Sequence, residues 1–224
     1  SVPGPVVRVV FERKANELLA GIKGEIIHRA SAIRLDGKLW LEGDSTVHSY
    51  SSVTTQLSMW IGAEPASGWQ QALIGHRPID FEVEIPVTSL KSGKDGLDNK
   101  MYEALDAGKH PTLLFLLRSY EIVGEAGVAS DGSGSENVVH ILADGKLSIA
   151  GREKDLQLDI QIVFTEDGIR LRGSKTVNMS DFGVEPPTMM AGLLRTHDSV
   201  TIRFDVEIAS VREDDAEENG KAAL

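Results

Sequence analysis

The sequence predicts an all-β fold, and two observations support this prediction. Apolar and polar residues alternate with a period of two over long stretches, most regularly in 154–166 and 199–210. Short polar turns separate such runs, and one of them, Glu166-Asp167-Gly168, is a strong hairpin signal. Antiparallel strands with one buried face are typical of a sandwich or an up-and-down barrel, and closure of a barrel also removes exposed sheet edges.

About eight strands with short connections are predicted. Their runs of alternating or apolar residues are 38–43, 53–61, 79–85, 112–123, 138–150, 154–166, 168–180 and 199–210. The segment 124–137 is rich in Gly and Ser, so we expect a mobile hairpin loop there.

One short helix is predicted between the strands. Leu97, Met101 and Leu105 recur at helical spacing, and Asp98 is the predicted N-cap. Pro111 ends this helical pattern.

The two ends of the chain differ in composition from the predicted 38–210 barrel domain. Residues 1–37 are predicted to be an N-terminal extension with a strand and a helical turn, and the acidic tail 211–224 to be disordered. The first residue is Ser1, so we expect that a leader has been removed and that the protein is periplasmic or secreted, with a cytoplasmic location as the alternative.

Charge and composition exclude several classes of function. The formal net charge is −11, which disfavours nucleic acid as a partner because phosphate binding needs a concentrated basic surface. Cysteine is absent, which excludes disulfides and thiolate chemistry. No apolar run approaches the roughly 20 residues that a membrane-spanning helix requires.

Catalytic or metal chemistry has weak support. The six histidines, at 28, 48, 76, 110, 140 and 197, include no pair at i, i+2 or i, i+4 spacing. Asp181-Phe182-Gly183 matches a kinase magnesium motif, but the Gly-rich loop and catalytic loop of a kinase are missing. A hydrolase or metalloenzyme using scattered histidines remains an alternative, and no metal site or cofactor is predicted.

The alternation alone leaves the role of the interior open. An eight-stranded barrel is just wide enough to fill itself with side chains or to hold one small ligand. The five methionines favour a pocket that adapts to an irregular apolar guest, since thioethers are flexible. A filled structural or interaction domain is the other interpretation.

Three stretches, 85–115, 145–160 and 178–208, resemble the YceI-like family of polyisoprenoid-binding, lipocalin-like proteins in order and spacing. The second carries Gly145, Leu147, Ile149 and Gly151 where the family has a Gly-x-Leu-Thr-Ile-x-Gly hairpin. The third carries the family's own Asp-Phe-Gly at 181–183, which is expected to end a barrel strand, with the Asp181 carboxylate accepting hydrogen bonds from backbone amides of the turn that follows. The chain departs from the family pattern at Ser148, where threonine is usual, and in its long 124–137 loop.

This resemblance implies an extended antiparallel eight-stranded lipocalin-like barrel with one short helix, which holds a long isoprenoid or similar lipid for transport or storage. It implies no catalytic residues, and it allows a homodimer, although no heptad or exposed apolar stripe supports one. The predicted lipid-binding residues are inward members of the alternations: Leu57, Phe115, Leu147, Ile149, Leu158, Ile160, Ile162, Met179, Phe182, Ile202 and Phe204.

Overall fold

A computed structural model of the chain describes residues 33–61, 81–123, 127–129, 136–165, 168–189 and 194–210. Strands dominate this part of the chain. They are β1 (Ile33–Ser45), β2 (Ser49–Thr54), β3 (Ser58–Ile61), β4 (Phe81–Pro86), β5 (Thr112–Ile122), β6 (Gly127–Ala129), β7 (Glu136–Ile149), β8 (Arg152–Phe164), β9 (Gly168–Asn178), β10 (Thr188–Met189) and β11 (Leu194–Ser210). The α-helix α1 (Asp95–Ala104) and two 3-10 turns, Val87–Ser89 and Met179–Phe182, complete the described elements.

The strands form one antiparallel sheet, so the predicted all-β fold is confirmed. Nine strands follow in the order β2-β1-β11-β9-β8-β7-β5-β4-β3, while β6 and β10 pair at its margins. The two end strands of this order, β2 and β3, are consecutive in the chain and only residues 55–57 separate them. The sheet therefore curls until its ends meet, as in a lipocalin-like barrel.

The prediction of one strand over 53–61 was wrong, which explains nine strands where eight were expected. Val53 exchanges backbone hydrogen bonds of 2.9 Å with Lys91, and the Gln56 amide donates to Thr54 Oγ1 at 2.9 Å. Thr54 Oγ1 also lies 2.8 Å from Ser89 Oγ. These bonds turn the chain out of β2 before β3 begins, because they satisfy polar groups that a continued strand would have paired with a neighbour.

Helix α1 lies between β4 and β5 at one end of the barrel, together with the β7–β8 hairpin and the Met179–Phe182 turn; we call this the helix end. The prediction of Asp98 as N-cap was wrong: the N-cap is Lys94, which makes no side-chain capping bond. Asp98 lies inside the helix and is 3% exposed. It anchors the preceding loop by accepting hydrogen bonds from the amide and hydroxyl of Ser92, at 2.8 and 2.6 Å.

Asp181-Phe182-Gly183 lies just after β9. The prediction that it ends a strand was wrong, because β9 stops at Asn178 and a 3-10 turn follows. Gly183 closes this turn with φ 65°, a left-handed conformation that glycine adopts without strain. Asp181 was predicted to bind backbone amides, but it accepts from the Asn178 side chain at 3.4 Å. The amide of Ser180 donates to Asp198 instead, at 2.8 Å.

The boundaries of β6 and β1 differ from those of the predicted segments. β6 lies within the predicted loop 124–137, so part of that segment is strand. β1 begins at Ile33, inside the predicted extension 1–37. Residues 1–32 and 211–224 are outside the described residues, and their predicted structure stays a prediction.

Candidate functional site

The interior of the barrel contains a continuous cavity of about 280 Å³. Known small-molecule pockets begin at roughly this size. All nine strands of the curled sheet and helix α1 contribute to its wall. The alternative of a fully packed interior does not fit this cavity.

The structure brings ten of the eleven predicted lipid-binding residues to the cavity wall. They are Leu57, Phe115, Leu147, Ile149, Leu158, Ile160, Met179, Phe182, Ile202 and Phe204. The eleventh, Ile162, is 1% exposed and belongs to the packed core, but it is not on the wall. That these side chains contact a lipid stays a prediction.

The cavity follows much of the barrel's length. On β11 its wall includes residues from Arg195 to Val206, and the stretch from Thr196 to Val206 alone covers ten residue steps. Ten residue steps correspond to roughly 33 Å along a strand, or about 25 Å along the axis of a barrel whose strands tilt by about 40°. A space of this shape suits an extended chain better than a compact ligand.

Glycines opposite aromatic rings help to keep the interior open. Gly173 lies beneath the Phe204 ring, Gly145 beneath the Phe115 ring, and Gly43 beneath Tyr50. A Cβ on any of these glycines would overlap the ring. The outer atoms of each ring therefore occupy the space that a Cβ would need, because glycine allows this close approach.

Helix α1 closes part of the helix end with the stripe predicted from sequence. Leu97, Met101 and Leu105 all line the cavity. The helix is held by Tyr102, whose hydroxyl donates to the Leu90 carbonyl at 2.6 Å. Burial opposes ionisation of Asp98, but the two Ser92 hydrogen bonds and Lys91 outweigh it and lower the pKa of Asp98. The Asp98 carboxylate therefore stays charged and continues to accept the two hydrogen bonds from Ser92 in the preceding loop.

The Met179–Phe182 turn supplies two wall residues and is fixed by Asp198. The Ser180 amide and hydroxyl donate to the two carboxylate oxygens of Asp198, at 2.8 and 2.5 Å. These hydrogen bonds lower the pKa of Asp198. The two hydrogen bonds between Ser180 and Asp198 fix this turn, in which Met179 and Phe182 face the lumen.

The polar residues of the wall are concentrated toward the helix end. Ser45, His48, Arg195 and Thr196 lie near the ends of β1, β2 and β11, while Ser92 and Lys100 belong to α1 and its preceding loop. His48, Lys100 and Arg195 are exposed, so the cavity reaches the surface at this end. The wall toward the other end of the barrel is formed by apolar residues such as Leu35, Met59 and Val206.

Two polar side chains lie deeper and were missed by the sequence reasoning. Lys175 on β9 is half-buried and occupies an inward position between Gly173 and Val177. Ser52 on β2 is 5% exposed and also lines the cavity. A signal existed for Lys175, because it interrupts the apolar alternation of 169–177, but nothing local marked Ser52.

Tyr50 adds a hydroxyl near these groups. Burial raises the pKa of Tyr50, and the nearby Asp44 carboxylate acts in the same direction. The hydroxyl therefore stays protonated and able to donate a hydrogen bond.

The histidines of the described residues do not form a metal centre. The described part of the chain includes His48, His110, His140 and His197, and within it no group of three or more His, Cys, Asp or Glu could hold a metal ion. His140 Nδ1 lies 3.9 Å from Asp159 on the outer face of β7 and β8. His28 and His76 are outside the described residues.

Among the described helices, none is long and apolar enough to cross a membrane.

Comparison with known proteins identifies relatives of the whole barrel. A profile of the YceI-like domain matches residues 28–208. No curated protein sequence matches the chain.

Three solved structures share the fold. Burkholderia cenocepacia BcnA is 16% identical with a TM-score of 0.57, and the match covers 78% of this chain and 96% of that one. A polyisoprenoid binding domain from Saccharophagus degradans, implicated in plant cell wall breakdown, is 14% identical with a TM-score of 0.56, over 80% and 99% of the two chains. A Campylobacter jejuni YCEI protein is 19% identical with a TM-score of 0.50, over 86% and 92%.

Proposed function

The chain belongs to the YceI-like family, and from this membership and the shape of the cavity we propose that it is a non-catalytic lipid-binding protein. Its ligand is an isoprenoid or another long-chain lipid, held inside the barrel for transport or storage. The observation that carries the proposal is the long, mainly apolar cavity, about 280 Å³, that the barrel encloses. The polyisoprenoid binding domain of similar fold supports the choice of lipid class.

Burial of the lipid tail supplies the binding energy. Each methylene transferred from water contributes about 0.8 kcal/mol, and association costs at least about 4 kcal/mol. A chain of about 15 carbons therefore reaches micromolar affinity, which corresponds to about 8 kcal/mol. No catalytic group is needed for this role.

Mass spectrometry of organic extracts from the purified protein tests the proposal. We expect a long-chain lipid in amounts close to one per protein molecule. Absence of a retained lipid, combined with no binding of added farnesol or geranylgeraniol, would refute lipid binding.

A matched pair of variants on helix α1 tests whether the retained lipid occupies the cavity. Ala104 lines the cavity, whereas the neighbouring Glu103 is exposed. Ala104→Trp should fill the lumen and reduce the retained lipid, while Glu103→Trp adds the same ring outside and should retain as much as the wild type. Equal retention by both variants would mean that the lipid binds elsewhere.

The proposal includes an exported location, periplasmic or secreted, which cell fractionation tests by the compartment in which the protein is recovered. A homodimer is tested by light scattering of the purified protein during size-exclusion chromatography.

A further inference from the structure

Lys175 is a charged side chain on the apolar inner face of β9. Its inward neighbours on the strand are Leu171, Gly173 and Val177, and it pairs across the sheet with Ile202. It makes no hydrogen bond or ion pair with any residue that the structure describes. An ammonium group without a counter-charge is unfavourable in apolar surroundings, so a partner that enters the cavity would relieve this cost.

Ser52 belongs to the same cross-strand row as Lys175. The pairings Ser52 with Leu41, Leu41 with Ile202, and Ile202 with Lys175 place these residues in register across β2, β1, β11 and β9. The Ser52 side chain is 5% exposed, and within the described part of the chain its hydroxyl has no hydrogen-bond partner. Both side chains belong to the cavity wall, one as a cation and one as a buried hydrogen-bond donor.

Tyr50 lies one row closer to the helix end. It pairs with Gly43, which pairs with Val200, and Val200 pairs with Val177. Adjacent inward rows are about 6.6 Å apart along a strand, and β2 and β9 are three strand spacings, about 14 Å, apart around the sheet, so the long Lys175 and Tyr50 side chains project into the same part of the lumen from different parts of its wall. The protonated Tyr50 hydroxyl is a second donor beside the Lys175 row.

The charges on the cavity wall have one sign. Lys100, Lys175 and Arg195 line the cavity, and among the described residues no Asp or Glu does. This is unexpected from composition alone, because the chain has 34 acidic and 23 basic residues. Three carboxylates of the helix end already accept hydrogen bonds from serine side chains: Asp98 from Ser92, Asp198 from Ser180, and Asp44 from Ser49.

We propose that Lys175, Ser52 and Tyr50 form a binding site for the anionic head group, a phosphate or carboxylate, of the lipid in the cavity. This inference rests on the proposed function, because the tail of the same molecule occupies the apolar part of the lumen. Lys175 supplies the counter-charge, and the Ser52 and Tyr50 hydroxyls donate hydrogen bonds to the anion. Lys100 and Arg195, exposed at the helix end, attract the anion toward the opening.

Three probes separate the contributions of head and tail. Farnesyl diphosphate and farnesol share one tail and differ in head-group charge, and inorganic diphosphate is the head alone. Binding to delipidated protein is measured by calorimetry. We expect farnesyl diphosphate to bind the wild type roughly tenfold to a hundredfold more tightly than farnesol, the range for hydrogen bonds to charged groups. Inorganic diphosphate, which has no tail to bury, should bind more weakly than either.

A matched pair of lysine variants locates the head-group site. Lys175→Met should abolish the preference for farnesyl diphosphate over farnesol, and the circular dichroism spectrum of the variant shows whether it is folded. Lys38→Met removes an equal charge from the outer face of β1, where Lys38 Nζ lies 5.0 Å from the centroid of the Trp40 ring. This control should keep the preference.

Failure of the head-group site and failure of lipid binding give different results in these binding measurements. Equal binding of farnesol and farnesyl diphosphate by the wild type overturns the head-group site but leaves lipid binding intact. An unchanged preference in Lys175→Met also overturns it. Tight binding of inorganic diphosphate, which has no lipid tail, would identify a free-anion site and overturn the lipid assignment. No binding of either farnesyl probe would refute the proposed function and this inference together.

Discussion

Truncation of Ile162 and of Leu158 to alanine, one at a time, tests whether the cavity exists in solution. Both side chains are on β8, four residues apart, and both point inward. Ile162 is 1% exposed and packed in the core, whereas Leu158 is half-buried and lines the cavity. The two substitutions remove the same number of carbon atoms, so a difference in their effect reports the surroundings.

The expected free energies of unfolding differ for this reason. Ile162→Ala loses three buried carbons and leaves a new closed cavity, so it should cost about 3–5 kcal/mol. Leu158 already faces empty space, and its truncation enlarges an existing cavity, so Leu158→Ala should cost about 1–2 kcal/mol.

Urea unfolding of delipidated protein measures both values, since a bound lipid would add its own stabilisation. Lipid retention is the second readout: we expect Leu158→Ala to change it and Ile162→Ala to leave it unaltered once folded. Equal costs for the two variants, with unchanged lipid retention, would refute the argument, because Leu158 would then be packed as tightly as Ile162.

Three further predictions concern the ligand, the wall and the helix. In a series of alcohols of increasing chain length, affinity should rise about fourfold per methylene, at 0.8 kcal/mol each, and then level off when the tail fills the cavity; a rise without a plateau contradicts an enclosed site. Gly43→Ala should displace the Tyr50 ring into the lumen and weaken lipid binding at a cost of about 1–3 kcal/mol in stability, as measured by calorimetry and urea unfolding. Asp98→Asn should lower stability by about 1–2 kcal/mol at pH 7 through weaker bonds to Ser92. Because the pKa of Asp98 is lowered on folding, its contribution is present above the ordinary value of 3.8 and is lost as the pH falls through the folded value, so the difference between wild type and variant should vanish in acid.

Most strands could be predicted from the sequence because alternation is a local property of an extended chain. The runs at 112–123, 138–150 and 154–166 correspond to β5, β7 and β8 within a few residues. The break at 55–57 was missed because it depends on Ser89 and Lys91, which are more than 30 residues away in the chain. Hydrogen bonds of that range leave no periodic signal.

The site was predictable to the extent that it depends on which face a residue occupies. The inward positions named from alternation lie on the cavity wall, except Ile162, whose place in the packed core depends on neighbours in other strands. Asp98 and Asp181 were identified as polar anchors, but Asp98 anchors a loop instead of capping α1, and Asp198 takes the predicted role of Asp181. The partner of a carboxylate is set by the packing of loops, which short motifs do not specify.

The sequence by itself determined that the chain forms antiparallel strands with one apolar face, because a period of two puts alternate side chains on the same side. Only the tertiary structure decided that this face encloses a cavity, since the curl of the sheet and the rings lying on glycines control how much of the lumen is filled. It also decided that Ser52 and Lys175, more than 120 residues apart in the chain, share one row. Register between distant strands is a property of the closed sheet, and no single strand contains it.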